Sequence, residues 1–225
     1  MAQCLADDIF PVRRVHLLGG VSDAGKTRFI LPLLMQWQAG LPILGRASHP
    51  VPWVYVVGDR LVEEAHDTLS DMHIPPASVR IIPAFGQHNK SYTQILLAAS
   101  VLQPQPQFLV IEGFGDLCGE SRSEVREFLG SIGSYCQGCT EFPAGLTILG
   151  IVESPKQKPY ERYANPRQRI SGSSAWGYHS STVILVESED QECNGPDRTV
   201  WLCMKNSQRR KLKASFDSLN RLVVP

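Results

Sequence analysis

The sequence lacks an apolar run long enough to cross a membrane, and it lacks an excess of charge of either sign. Its longest obvious apolar run is 146–152, far short of the roughly 18 residues that a transmembrane helix needs. The 22 Lys and Arg are balanced by 22 Asp and Glu, which excludes a uniformly basic nucleic-acid-binding surface but not a local basic patch. Asp7 and Asp8 precede any apolar stretch, so we expect no signal peptide, no membrane contact and a cytoplasmic protein.

Cysteine is also scarce, with 6 in 225 residues. Only Cys136 and Cys139 have the C-x-x-C spacing. A zinc site would need a second pair of ligands at a suitable spacing, and the sequence contains none. We therefore predict two half-buried thiols here rather than a metal or redox centre.

What the sequence does contain is a globular composition, with 43% hydrophobic and 20% charged residues. The length fits a single domain over residues 1–225. Predicted strands and helices alternate along most of the chain, which indicates an α/β fold with a mainly parallel central sheet flanked by helices. Toward the end of the chain only short strands are predicted, and we expect them to form an antiparallel C-terminal extension of the same sheet: 182–186, 200–204, 212–216 and 222–224.

The segment 20–27 reads Gly-Val-Ser-Asp-Ala-Gly-Lys-Thr and fits G-x-x-x-x-G-K-[ST] without deviation. It lies between a predicted strand, 14–18, and a predicted helix, 26–39, as this motif requires. Glycines let the backbone N–H groups turn inward toward a β-phosphate, and the helix adds its positive dipole end. Lys26 would neutralise the β- and γ-oxygens, and the Thr27 hydroxyl would coordinate Mg²⁺.

We therefore predict a nucleotide-binding loop that takes a nucleoside triphosphate with Mg²⁺. Its residues are Gly20, Val21, Ser22, Asp23, Ala24, Gly25, Lys26, Thr27 and Arg28. The sequence lacks an obvious guanine-reading Asn/Thr-Lys-x-Asp motif, so ATP is the expected nucleotide.

Acidic residues follow two other predicted strands. Glu112 comes directly after the apolar run 108–111, where an acid would hold Mg²⁺ through water, and Asp116 lies just beyond and could share this role. Asp59 follows the run 53–57, and hydrolysis needs a carboxylate that orients the attacking water. We predict Lys26, Asp59 and Glu112 as catalytic residues and Thr27 with Glu112 as the metal site. The alternative is that both acids only end their strands.

With the phosphate loop, this layout resembles the RecA-like core of the RepA/DnaB group of ring-forming helicases, over roughly residues 12–215. Three later segments strengthen the resemblance. The strand that leads into Glu153 resembles the family's sensor strand, 172–175 (Gly-Ser-Ser-Ala) resembles the turn after its mobile loop, and 205–207 (Lys-Asn-Ser) resembles its Lys-Asn-Arg.

The resemblance implies a RecA-like P-loop NTPase core, ATP hydrolysis and assembly into a homo-oligomer, a hexameric ring. It also implies basic residues that reach across a subunit boundary to the neighbour's nucleotide. Lys205 matches the family's Lys, Ser207 stands at the place of its Arg, and Arg209 or Arg210 could substitute for that Arg.

The segment 154–171 is basic and carries two interleaved tyrosines. Basic groups beside aromatic rings suit single-stranded DNA, because cations meet phosphates and bases stack on rings. In RecA-like rings the loop after the sensor strand faces the central channel, so the resemblance implies the same place here. The alternative is a solvated flexible loop or one that docks another protein. The predicted DNA-binding residues are Lys156, Lys158, Arg162, Arg167 and Arg169.

Three functions follow from these residues. The first is an ATP-dependent motor on single-stranded DNA, a ring-forming RepA-like helicase of plasmid or phage replication. The second is a regulatory ATPase that hydrolyses slowly and uses the nucleotide as a switch for binding a protein partner; Asp59 in place of Glu, Glu153 at the sensor position and Ser207 in place of Arg favour it. The third is a small-molecule phosphotransferase with 154–171 as an Arg-rich lid, which leaves 172–175 and 205–206 without a role.

Overall fold

The computed structural model describes residues 5–7, 9–84, 92–119, 121–154, 170, 174–188, 195–205, 209–219 and 221–224. Its strands are β1 (Val15–Gly20), β2 (Trp53–Val57), β3 (Ile81–Pro83), β4 (Phe108–Ile111), β5 (Thr147–Glu153), β6 (Thr182–Ser188), β7 (Asp197–Met204), β8 (Arg210–Phe216) and β9 (Leu222–Val223). Its helices are α1 (Lys26–Gln38), α2 (Val62–Asp71), α3 (Tyr92–Ser100), α4 (Arg122–Gln137) and α5 (Ser174–His179), with 3₁₀ turns at Pro76–Ser78 and Phe114–Leu117.

Over these residues the strands form one sheet in the order β3-β2-β4-β5-β1-β6-β7-β8-β9. The pairs from β3 to β6 are parallel, and those from β6 to β9 are antiparallel. The predicted α/β fold with a mainly parallel sheet and an antiparallel C-terminal extension is therefore confirmed. Because parallel strands share a direction, the carboxyl ends of β1, β2, β4 and β5 meet at one edge of the sheet.

Apolar side chains hold the helices against both faces of the sheet. The central strands β1, β2 and β4 are buried along their whole length, as expected for parallel strands covered on both sides. On one face α1 packs through Trp37, whose ring lies edge-on to Phe108 with centroids 5.3 Å apart. On the other face the rings of Phe114, Phe128 and Trp176 lie against one another between α4, α5 and the sheet.

Local signals in the sequence explain where several elements begin and end. Ser121 and Glu124 form a capping box at the start of α4: the Ser121 hydroxyl accepts from the Glu124 N–H at 3.2 Å, and the Glu124 carboxylate accepts from the Ser121 N–H at 3.1 Å. Gly40, with φ of 72°, follows the end of α1 in the left-handed conformation that glycine tolerates. The predicted helix 26–39 agrees with α1 within one residue.

The first strand is longer than the sequence predicted. The apolar run ends at Leu18, but β1 continues through Gly19 and Gly20, which pair with Val152 and Glu153 of β5. At Gly20 an added Cβ would lie 2.7 Å from the carbonyl oxygen of Val186, so only glycine lets the strand run this far. The extension brings the nucleotide-binding loop directly to the edge of the sheet.

Cys139, just after α4, is half-buried as predicted, whereas Cys136 on α4 is fully buried. Burial raises the pKa of the Cys136 thiol to about 12, so it stays a neutral core group. None of the helices in the described ranges is long and apolar enough to span a membrane.

Candidate nucleotide-binding site

The nucleotide-binding loop connects the end of β1 to the start of α1. Two of its residues have left-handed backbones, Asp23 with φ of 61° and Gly25 with φ of 89°. Such conformations curl a chain tightly and cost a non-glycine residue free energy, and strain of this kind is concentrated at functional sites. The loop therefore has the backbone shape that the motif predicts, with α1 beginning at Lys26.

Lys26 lies across the mouth of this loop. Its Nζ donates hydrogen bonds to the carbonyl oxygens of Gly20 at 3.0 Å and of Val21 at 2.9 Å. Burial lowers the pKa of Lys26, while the carboxylates of Glu153, Asp59, Asp23 and Glu112 oppose that shift. The ammonium group is thus placed where it can exchange its carbonyl partners for phosphate oxygens.

Thr27 and Glu112, the two predicted metal ligands, are in direct contact. Glu112 follows β4 and its side chain is 3% exposed, and the Thr27 hydroxyl donates to Glu112 Oε1 at 2.7 Å. Burial raises the pKa of Glu112, the Arg60 guanidinium opposes this, and Asp59 adds to it. A hydroxyl and a carboxylate at this spacing fit Mg²⁺, which takes one or two protein oxygens and completes its shell with phosphates and water.

The described residues contain no cluster of three or more His, Cys, Asp or Glu that could enclose a metal ion by themselves.

Arg60 is a member of the site that the sequence analysis missed. Its guanidinium holds both oxygens of Glu112, with Nε 3.0 Å from Oε2 and Nη2 2.9 Å from Oε1. It also donates to the hydroxyls of Thr68 on α2 at 2.8 Å and of Tyr55 on β2 at 3.4 Å. A buried carboxylate needs a charged or hydrogen-bonding partner. The signal in the sequence that could have identified Arg60 is its position directly after Asp59, an acid predicted at the end of a strand.

Three further carboxylates lie at the same edge of the sheet. Glu153 is the last residue of β5 and is in register with Gly20. Partial burial raises the pKa of Asp116, and the nearby charges of Asp59 and Glu153 raise it further. Asp59, predicted to orient water, is exposed and lines the cleft over the loop. The structure therefore brings all the predicted catalytic residues together and adds Asp116 and Glu153 to their surroundings.

The cleft has a volume of about 720 Å³ and two chemically different ends. One end carries Lys26, Asp59, Glu112 and Glu153. The other is formed by the start of β7 and the end of β8. Arg28 also lines the cleft, and its guanidinium pairs with Asp71 of α2 at 3.2 Å. The residues at the second end are Gly195, Pro196, Arg198 and Phe216.

Arg198 connects this second end to the loop. It is 1% exposed, and its Nε donates to the carbonyl oxygen of Ala24 at 3.0 Å. Its Nη1 donates to the carbonyl oxygens of Gly195 at 2.5 Å and Asp197 at 2.9 Å. The C-terminal antiparallel strands therefore support the nucleotide-binding loop, which the sequence analysis did not foresee.

Lys205, the first of the predicted trans-acting residues, lies far from this cleft. The Lys205 N–H donates to the carbonyl oxygen of Ser181 at 2.8 Å, just before β6 begins, whereas the loop lies beside Val186, roughly 17 Å further along that strand. Lys205 can therefore not serve the nucleotide site of its own chain. Arg209 and Arg210, the other two predicted trans-acting residues, are exposed at the start of β8.

Lys205 belongs to a basic surface that the sequence did not reveal. Partial burial lowers the pKa of His179, and the charges of Arg126, Lys205 and Arg122 lower it further. Arg122, Arg126 and His179 line a shallow surface pocket. We call these four residues the basic patch.

Several predicted residues lie outside the described part of the chain. These include Asn206, Ser207, the first two residues of the segment 172–175, and all five predicted DNA-binding residues, Lys156, Lys158, Arg162, Arg167 and Arg169.

No protein-family model matches the sequence, and no curated protein matches it. Among solved structures, the chain is similar to the KaiC-like protein PH0186 from the hyperthermophilic archaeon Pyrococcus horikoshii OT3. The TM-score is 0.62 at 16% identity, over 98% of this chain and 93% of that chain. Likeness at this identity shows the fold alone. The chain accordingly has a RecA-like core of the KaiC type, and a place in the RepA/DnaB group stays a prediction.

Proposed function

We propose that the protein is an ATPase that drives movement on single-stranded DNA. The observation that carries the ATPase part is the contact of 2.7 Å between Thr27 Oγ1 and Glu112 Oε1. These atoms lie 85 positions apart in sequence, and they meet beside a complete phosphate loop and its lysine. Mg²⁺ held there would neutralise phosphate oxygens.

The chain's own residues would divide the remaining work. Loop N–H groups and Lys26 bind the phosphates, and Thr27 and Glu112 hold the metal. Asp59, which is exposed in the cleft, orients the attacking water and accepts its proton. Burial raises the pKa of Asp116 in this cluster, and the charges of Asp59 and Glu153 add to that rise.

The motor part of the proposal rests on the basic loop 154–171 of the sequence, together with its place directly after β5. Since β5 ends beside the nucleotide-binding loop, at Glu153 and Gly20, a change at the phosphates can pass directly into the segment that follows. Ring assembly is supported by the position of Lys205, which can reach a nucleotide only on another copy of the chain.

A second candidate is a nucleotide-dependent switch that hydrolyses slowly and binds a protein partner. The ion pair of Glu112 with Arg60 favours it, because both oxygens of the metal-binding carboxylate are already engaged. Asp59 also favours a slowly hydrolysing switch, because its side chain is one methylene shorter than that of Glu.

The first test is ATP turnover with and without single-stranded DNA, with Lys26→Ala as the blank. Lys26→Ala removes the charge that supports the γ-phosphate, so we expect its turnover to fall by at least about 100-fold. DNA should stimulate the wild type severalfold, and charge reversal at Arg167 and Arg169 should remove the stimulation but keep basal turnover. Arg80→Ala, on the surface outside the cleft, serves as the matched control.

Turnover that survives Lys26→Ala would contradict the proposed site. Tight ATP binding with near-zero turnover in both conditions would exclude the motor and favour the switch.

A further inference from the structure

The two ends of the cleft fix the direction in which a nucleotide would lie. Lys26, Thr27 and the acids mark the place of the β- and γ-phosphates, so the base must extend the other way, past Gly25. That end of the cleft is formed by Gly195, Pro196, Arg198 and Phe216. The inference that follows rests on the proposed function, since it concerns the same nucleotide.

The ring of Phe216 lies directly against the nucleotide-binding loop. A Cβ added at Gly25 would lie 2.7 Å from Phe216 Cζ, so the ring edge occupies the space that the glycine leaves. Phe216 is the last residue of β8 and is half-buried. The remaining ring surface contributes to the lining of the cleft.

Two contacts hold this ring in a fixed position relative to the phosphates. The Arg198 guanidinium carbon lies 4.9 Å from the ring centroid, and the same guanidinium donates to the Ala24 carbonyl of the loop at 3.0 Å. The backbone N–H of Phe216 donates to the carbonyl oxygen of Pro196 at 3.1 Å. The ring, the arginine and the proline therefore form one unit attached to the loop.

We propose that Phe216, supported by Arg198 and flanked by Pro196, is the subsite that binds the nucleotide's base by stacking. Flat apolar surfaces attract the face of any base, whichever hydrogen-bonding groups it carries on its edge. This subsite therefore takes a nucleoside triphosphate whichever base it carries, and it detects the presence of a base rather than its identity. Phosphate binding and base binding are separate contributions from opposite ends of one cleft.

The test separates these contributions by calorimetric titration with Mg·ATP, Mg·GTP and inorganic tripolyphosphate. Phe216→Leu keeps an apolar side chain and removes the ring, and Phe216→Ala removes both. We expect both variants to bind ATP and GTP roughly tenfold more weakly, and tripolyphosphate within about twofold of the wild type. Tyr135→Leu, which removes a half-buried ring that packs on Phe142 away from the cleft, is the matched control and should bind all three ligands like the wild type.

Three outcomes would overturn the subsite. Unchanged ATP affinity in Phe216→Leu would show that the ring does not contact the base. A parallel loss of tripolyphosphate affinity would show that the ring only supports the loop. A loss confined to ATP or to GTP would contradict recognition by stacking. If the proposed function itself is wrong, the result is different: the wild type would then bind none of the three ligands more tightly than Lys26→Ala does.

Discussion

His16 carries a titratable side chain inside the hydrophobic core. It lies in the middle of β1 with no exposed surface, and its Nε2 donates to the carbonyl oxygen of Pro11 at 2.9 Å. Its ring lies edge-on to Phe10, with centroids 5.3 Å apart. Burial lowers the pKa of His16 from 6.5 to about 4; the Pro11 hydrogen bond opposes this shift, and Arg14 adds to it.

This shift makes the stability of the fold depend on pH in a defined direction. Between pH 6.5 and 4 the unfolded chain binds a proton at His16 and the folded chain does not, so stability is full above that window and falls as the pH falls through it. The whole shift corresponds to about 3 kcal/mol, of which about 2 kcal/mol is lost by pH 5. Urea unfolding of the wild type and of His16→Gln at pH 7.5 and pH 5 measures this loss of stability. Gln keeps a hydrogen-bond donor but cannot titrate. Between the two pH values the free energy of unfolding of the variant should therefore fall by about 2 kcal/mol less than that of the wild type.

His66→Gln on α2 is the control for the loss of a histidine as such, and it should keep the wild-type pH dependence. An equal loss of stability on acidification in the wild type and in His16→Gln would contradict the prediction.

The contact between the turn after β2 and the end of β4 is the main polar connection between elements at the site. Glu112 is almost fully removed from water and Arg60 is half-buried, with side chains 3% and 21% exposed, and the same arginine reaches Thr68 on α2. Gly58 permits this close approach, because a Cβ there would lie 2.3 Å from the carbonyl oxygen of Glu112. The two strands and α2 therefore depend on one buried ion pair.

Breaking this pair from one side should destabilise the protein strongly. Arg60→Met leaves Glu112 buried without its counter-charge, and such changes cost about 3–5 kcal/mol. Arg60→Met combined with Glu112→Gln should cost at least about 1 kcal/mol less than the sum of the single changes. Urea unfolding at pH 7.5 measures all three variants. Arg28→Met, which breaks an ion pair with the exposed Asp71, is the matched control and should cost less than about 1 kcal/mol.

Additive effects of Arg60→Met and Glu112→Gln would show that the two side chains do not stabilise each other.

At the level of elements, the features that depend on the local sequence pattern could be predicted. The contacts that depend on pairing between distant strands could not. The phosphate loop, the capping box at Ser121 and the antiparallel C-terminal strands follow from glycines, caps and alternation, and the structure contains them. Arg60 and Phe216 were missed because each meets its partner only after strands distant in sequence have come together. Arg60 reaches Glu112 across 52 positions, and Phe216 reaches the loop from the last third of the chain.

For the molecule as a whole, Lys205 and the nucleotide site lie at opposite ends of β6. Lys205 is separated from its own loop by most of the length of β6, so within one copy the two sites cannot cooperate directly. A contact between different surfaces of successive copies closes into a ring when the rotation permits it. Such a contact would bring the cations of one copy to the acidic, phosphate-binding cleft of the next, and charge complementarity would favour that arrangement.

This arrangement predicts that two inactive variants restore activity when they are mixed. Lys205→Ala should bind ATP like the wild type but lose most of its turnover, because its neighbour's nucleotide lacks the cation. Lys26→Ala fails at its own loop but still presents Lys205. In an equal mixture that exchanges subunits at random, about a quarter of the interfaces combine an intact loop with an intact Lys205. The turnover of the mixture should therefore rise to roughly that fraction of the wild-type turnover.

A mixture that is no more active than its separate components would contradict action across a subunit boundary. Wild-type turnover by Lys205→Ala on its own would show that Lys205 has no part in hydrolysis.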